Sequence, residues 1–225
     1  MPKYTTLRKC HNLNIALFGA GYTYGEYDVP IIKPNSMGMP DLQGLNWVGF
    51  NYARSIPKED RPKTGIHFFV DDYQFERIWD KPQENIKVLE QFGAVCSPDF
   101  SPYSDWPKAV QLYNHWRKHW CGRWWQENGI TVVPTVTWSD RATLRWCFDG
   151  EPKGCAVAVS SVGMFKKEKY IDWLVEGYLE MEKRLHPSCV LWRGTVPPQL
   201  EEYKGKFVFL DRFTDKFHEM DQQEG

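Results

Sequence analysis

Three apolar runs in this chain end on carboxylates. His67-Phe68-Phe69-Val70 leads into Asp71-Asp72, and Ala94-Val95-Cys96 leads into Ser97-Pro98-Asp99-Phe100-Ser101. Val132-Val133-Pro134-Thr135-Val136-Thr137-Trp138 leads into Ser139-Asp140. Carboxylates that converge could act as general acid and base, or could hold a hard divalent metal through oxygen ligands. Asp71, Asp99 and Asp140 are therefore the candidate catalytic groups. Asp72, Ser101, Tyr103, Trp138, Ser139, Ser160 and Arg193 also follow strand-like runs and are candidate substrate-binding residues, with Ser161 beside Ser160. Arg193 suits a phosphate or carboxylate on a ligand, and Tyr103 and Trp138 suit stacking walls. The plainer alternative is that Asp72 or Asp140 caps the helix after its strand while the hydroxyls fill turns.

Convergence requires elements that bring all these strand ends to one face. From Gly65 the chain alternates strand-like and helix-like segments: strands at 65–71, 94–97, 130–137, 155–160, 189–192 and 206–210, and an earlier strand-like run at 46–51. Helical periodicity marks 82–92, 107–128, 141–148, 166–185 and a brief turn at 199–203. In 107–128, Ala109, Tyr113, Trp116, Trp120 and Trp124 recur at three- and four-residue steps as one apolar stripe, and Asn128-Gly129 ends the helix. In 166–185 the stripe is Ile171, Leu174, Tyr178, Met181 and Leu185. Such alternation implies an α/β fold with a parallel sheet of about six to seven strands and right-handed crossovers. Polar ends follow nearly every strand, which favours a (βα)-barrel-like or distorted barrel over an open sheet with a single switch point. The expected organisation is one domain: an irregular, aromatic-rich N-terminal arm or lid over 1–64, an α/β core over 65–214, and a polar tail over 215–225.

Bulk properties narrow the function classes. The chain has 225 residues, 42% hydrophobic and 16% aromatic with 11 Trp, so it can bury a core and is not a disordered chain. Basic and acidic side chains number 28 and 29, which disfavours extended nucleic-acid binding, since phosphate neutralisation requires a visibly basic protein. No stretch approaches the ~20 apolar residues needed to cross a bilayer, and no signal-peptide pattern follows Met1. The six cysteines are scattered without a CxxC pair, as in a reduced cytosolic protein.

Other motifs carry less. His115 and His119 stand four apart on one helix, but Trp116 occupies the position of a metalloprotease general-base Glu. With Lys108, Arg117, Lys118 and Arg123, they read as a solvated basic face opposite the Trp stripe. Gly19-Ala20-Gly21-Tyr22-Thr23-Tyr24-Gly25 resembles a dinucleotide turn, yet Glu26-Tyr27-Asp28-Val29-Pro30 cannot supply the helix that must follow. No NAD, flavin or structural zinc motif is present, and neither is a GxSxG elbow or a phosphate-binding loop.

Four ordered blocks carry a family resemblance: 25–34 (GEYDVPIIKP), 67–75 (HFFVDDYQF), 97–103 (SPDFSPY) and 134–140 (PTVTWSD). Together they resemble the DUF4417 family, found in phages and other bacterial mobile elements, with likeness from about Gly25 to Gly194. The resemblance implies a phage or mobile-element protein working in the bacterial cytoplasm; it brings no established activity. Two expectations follow. One is a hydrolase or phosphoesterase, acid/base or metal-dependent, acting on a small nucleotide-like or other anionic substrate. The other is a binder without turnover, either a sponge for a nucleotide signal or an inhibitor of a host defence protein, whose aromatics would serve as anchors.

Overall fold

The computed structural model describes residues 22–210. The expected segments within 1–21, including most of the Gly-rich turn, and the expected tail over 215–225 lie outside the described residues. The chain begins with an antiparallel hairpin, β1 (Thr23–Tyr24) and β2 (Val29–Pro30), followed by the short helix α1 (Met39–Gln43). β3 (Asn46–Gly49), β4 (Thr64–His67), β5 (Ala94–Cys96) and β6 (Val132–Val133) then form a parallel sheet in sequence order. β7 (Ala156–Ser160), β8 (Cys189–Arg193) and β9 (Phe207–Leu210) form a second one. Helices α2 (Arg77–Asp80) and α3 (Pro82–Leu89) precede β5, the long α4 (Lys108–Glu127) precedes β6, and α5 (Glu168–Leu185) joins β7 to β8.

The two sheets meet at one isolated parallel bridge, Thr135 to Ala158. Pro134 explains why regular pairing stops there, because a residue without an N–H cannot extend the ladder on that side. The Thr135 N–H goes instead to Ser97 Oγ (2.7 Å), and Thr135 Oγ1 donates to Ser97 O (2.6 Å). Nearby, Asn35 Nδ2 donates to both Val132 O and Ala156 O, tying β6 to β7 where their strands begin. Seven parallel strands thus follow one another in order, as the sequence rhythm implies. The sheet is not a closed barrel: among the described residues β9 does not pair with β3, and α1 touches both.

Two apolar clusters flank β7–β9. Val157, Val159, Val190 and Trp192 point toward α5, meeting Leu174, Tyr178, Met181 and Leu185. These are four of the five expected stripe residues, and Trp192 stacks on Phe207 with ring centroids 4.8 Å apart. Ala156, Ala158, Cys189, Leu191, Val208 and Leu210 point the other way, into a larger cluster that includes β3–β6, α3 and part of α4.

Helix α4 corrects the sequence reading. Its expected bounds hold within a residue, but its polar face is not solvated: His115, Arg117, Lys118, His119 and Arg123 are all buried. Tyr113 is exposed and Trp116 and Trp124 are half-buried, whereas Trp120 and Trp125 are enclosed, Trp125 against Phe68. The reason is tertiary. β2 and residues 149–151 lie against the charged side of α4 and supply acceptors for it, so charges that a lone helix would give to water are satisfied inside. Two shorter segments also differ: 141–145 and 198–206 are 3₁₀ rather than α-helical.

Candidate functional site

The structure sorts the strand-end residues into three neighbourhoods. The first lies after β4 and β5. Asp72 accepts hydrogen bonds from Ser101 N (3.1 Å) and Ser101 Oγ (2.9 Å), fastening the two loops together. Asn114 on α4 donates to Ser101 O (2.8 Å). The guanidinium of Arg117, itself paired with Glu76, lies 3.6 Å from the centre of the Phe100 ring. Everything around Asp99 is therefore held, yet Asp99 Oδ1 is enclosed without a hydrogen-bond partner among the described residues. Burial pushes its carboxyl up to about 7; the Lys118 charge opposes that rise and the Asp72 charge adds to it. Asp71 is different: it is exposed, and its side chain makes no capping bond to the 3₁₀ turn it precedes.

The second neighbourhood surrounds Asp140. Its Oδ1 accepts from Ala142 N (3.1 Å), capping the 3₁₀ helix over Arg141–Arg145, and its Oδ2 receives Lys108 Nζ at 2.6 Å. Ser139 is buried and donates its N–H to Thr143 Oγ1. Trp138 is a wedge into α5: its Nε1 donates to Trp173 O, and it packs so closely on Gly177 that a Cβ there would lie 2.1 Å from Nε1. Tyr103, by contrast, is exposed beside Trp106, ring centroids 4.8 Å apart.

The third neighbourhood is at the ends of β7 and β8. Ser160 Oγ accepts from Val162 N, Ser161 Oγ donates to Thr195 O (2.6 Å), and Arg193 donates to Leu210 O. His67, at the end of β4, faces the charge of Arg193 from the other sheet. Burial first, and that charge second, push its pKa down to about 3, so it is neutral. The structure thus brings Asp72, Asp99 and Ser101 together, and Ser160, Ser161 and Arg193 together. No hydrogen bond or ion pair among the described residues joins Asp71, Asp99 and Asp140, and no three His, Cys, Asp or Glu side chains there are arranged to hold a metal ion.

Beneath Asp99 is a buried ionic set that sequence reasoning missed. Lys118 Nζ donates to Glu151 Oε1 (2.8 Å) and to Thr135 O (2.8 Å). His119 presents Nε2 to the same Glu151 oxygen (3.0 Å) and Nδ1 to Pro30 O (3.0 Å). Both of its nitrogens thus face acceptors, a geometry that a neutral imidazole satisfies on one side only. Burial pulls the His119 pKa down while Glu151 resists that pull. Burial would raise Glu151, but Lys118 and His119 hold it below the usual carboxylate range. His115, its ring 4.4 Å from that of His119, is kept neutral by burial and donates to Asp149 O. No local signal marked the set: the His, Lys and Arg positions of α4 read as an ordinary solvated face. Glu151 carried none.

A parallel α/β protein with loop carboxylates at its strand ends and an ion network under them is the class this architecture defines. The domain of unknown function DUF4417 matches residues 22–211, so the chain belongs to that family. It is 34% identical over 184 residues to the Gene 1 protein of Mycobacterium phage L5, covering 79% of this chain and 78% of that one. It is also 34% identical over 196 residues to the Gene 1 protein of Mycobacterium phage D29, covering 80% and 73%. No solved structure matches. Among the described residues, no helix is long and apolar enough to cross a membrane.

Proposed function

We propose that this is a phage protein of the host cytoplasm that acts as a hydrolase on a small anionic, nucleotide-like substrate, with Asp99 as the proton-transfer group. Its sheet is read as an incomplete barrel, working at the strand C-terminal ends. The observation that carries the reading is Asp99 itself: the surrounding loop is clamped at Ser97, Phe100 and Ser101, while Oδ1 is left unbonded. A carboxyl raised to about 7 can both give and take a proton near neutral pH, which general acid–base chemistry requires. Asp72 sits beside it as a second carboxylate, and the exposed Tyr103 would supply a wall for a planar ring. Arg193 would orient an anionic group from the end of β8, and Asp140 would serve as a further acid/base group.

The second reading, a binder without turnover, is favoured by one surface feature. Tyr73, Tyr103, Trp106, Val110 and Tyr113 are all exposed in the loops after β4 and β5 and the first turns of α4. Aromatics in such a place suit a host protein or a nucleotide base. A single experiment separates the two. Wild-type protein and Asp99→Asn are incubated with a bacterial metabolite extract, denatured, and the small molecules compared by mass spectrometry. The enzyme reading expects a species depleted by the wild type and spared by the variant. A species retained by both and recovered unchanged from both would reject the hydrolase and leave the binder.

A further inference from the structure

A second feature lies away from the Asp99 loops. A cleft of about 380 Å³ opens between the β1–β2 hairpin, residues 148–153 and the last turn of α5. Tyr24, Phe148, Asp149, Glu151, Lys153 and Lys183 line it, with Arg184 beside them. That volume falls in the range of small-ligand sites.

The cleft is built by close approaches that need glycine. Gly25 (φ +78°) lies against Asp149, where a Cβ would sit 2.4 Å from Oδ2. Gly150 (φ +77°) lies against Pro30 O, where a Cβ would come within 2.7 Å. Both have the left-handed backbone that other residues adopt at a cost, so the hairpin, the 149–151 turn and α4 are locked together at these two points. Behind the turn stands the ionic set, Lys118 and His119 on Glu151 Oε1. Glu151 Oε2 is buried and has no hydrogen-bond partner among the described residues.

The remaining lining defines the rest of the ligand. Lys153 and Lys183 are exposed cations, and Arg184 lies over the Phe148 ring at 5.1 Å. Lys183 and Arg184 share one acid outside the lining, Glu180. The positive side chains thus exceed what Asp149 can balance once Glu151 is matched by Lys118. Tyr24, 61% exposed, provides a flat apolar face at the mouth.

From this arrangement we infer that the cleft is a binding site for a ring-bearing phosphate monoester of mononucleotide size. Its phosphate would meet Lys153, Lys183 and Arg184, its ring would lie on Tyr24, and its N–H or O–H groups would face Asp149. The inference does not rest on Asp99, since the groups it uses belong to other loops.

The test is calorimetric titration of the full chain with the four 5′-ribonucleoside monophosphates, their nucleosides and inorganic phosphate. At least one monophosphate is expected to bind saturably, with its nucleoside, which lacks the charge-assisted contacts, and inorganic phosphate, which lacks the ring on Tyr24, each weaker by about tenfold or more. Lys153→Glu with Lys183→Glu changes exposed positions only. This double variant should keep the thermal midpoint and lose about tenfold or more in affinity, while Asp99→Asn should bind as the wild type does. Saturable binding by none of the monophosphates would overturn the inference. So would affinity unchanged in the double variant, or inorganic phosphate binding as tightly as the best nucleotide. Loss of binding in Asp99→Asn would also overturn it, by placing the ligand at the other site.

Discussion

The Asp99 loops and the Lys118–Glu151–His119 set both gather acidic and basic groups, but they satisfy them differently. At the strand ends the carboxylates are served locally: Asp72 by Ser101, and Asp140 by its own helix start and Lys108. These contacts are half-exposed, so each contributes little and each could be exchanged. Inside, Lys118 and Glu151 have side chains 1% and 0% exposed, and each is the other's compensation. A buried charge without its partner is costly, so this set is all or nothing. Asp99 stands between the two regimes: clamped like the interior, but lacking a bond on Oδ1. The lesson is that a converging carboxylate is informative where the fold leaves it unsatisfied, not where it merely ends a strand.

The largest expected effect breaks the interior set. Lys118→Met should destabilise the protein by about 3–5 kcal/mol, because the buried Glu151 charge loses its cationic partner and keeps only the His119 contact. Adding Glu151→Leu should restore much of that loss. Urea unfolding measures both, and a single-variant loss below about 1 kcal/mol would erase the distinction between the two regions.

Next in size is a pH dependence that should separate Asp99 from His67. The folded pKa of Asp99, about 7, lies above its ordinary 3.8, so the native state holds the proton more tightly than the unfolded chain. Its contribution is therefore full below pH 4 and is lost as pH rises from about 4 through 7. His67 runs the other way: its folded pKa of about 3 lies below 6.5, so its contribution is full above pH 6.5 and is lost as pH falls toward 3. Asp99→Asn should remove the alkaline-side loss and be relatively more stable at pH 8 than at pH 4. His67→Gln should flatten the acidic side. Parallel pH profiles for Asp99→Asn and wild type would mean that Asp99 is not held as described.

The smallest effect tests the strand-end side of the comparison. Asp140→Ala should cost about 1 kcal/mol, the ordinary worth of a helix N-cap, since the Lys108 pair is largely solvent-screened. A loss above about 3 kcal/mol by the same unfolding measurement would show that Asp140 supports more than its own turn.

Much of the scaffold was legible from residue pattern. The bounds of α4 and α5, the strand positions from β4 to β9 and their parallel order follow from periodicity and from the alternation of element types. Barrel closure was not legible. It depends on whether the first and last strands meet, and among the described residues β3 and β9 do not pair, a contact between strands some 160 residues apart that no local pattern reports. Trp138 looked like a stacking wall because it precedes Ser139-Asp140. Its direction depends on the absence of a side chain at Gly177, some forty residues away, and no local rule reports that.

Periodicity and spacing by themselves determined the parallel α/β class and the loops in which Asp72, Asp99 and Ser101 lie, and four ordered blocks carried the family resemblance, because all of these are local properties of the chain. Only the tertiary structure decided which carboxylates share a neighbourhood, that the basic face of α4 is buried, and that Glu151 meets Lys118 and His119. Burial and charge pairing arise between segments far apart in sequence, and the free energy of a charge depends on what the fold places beside it.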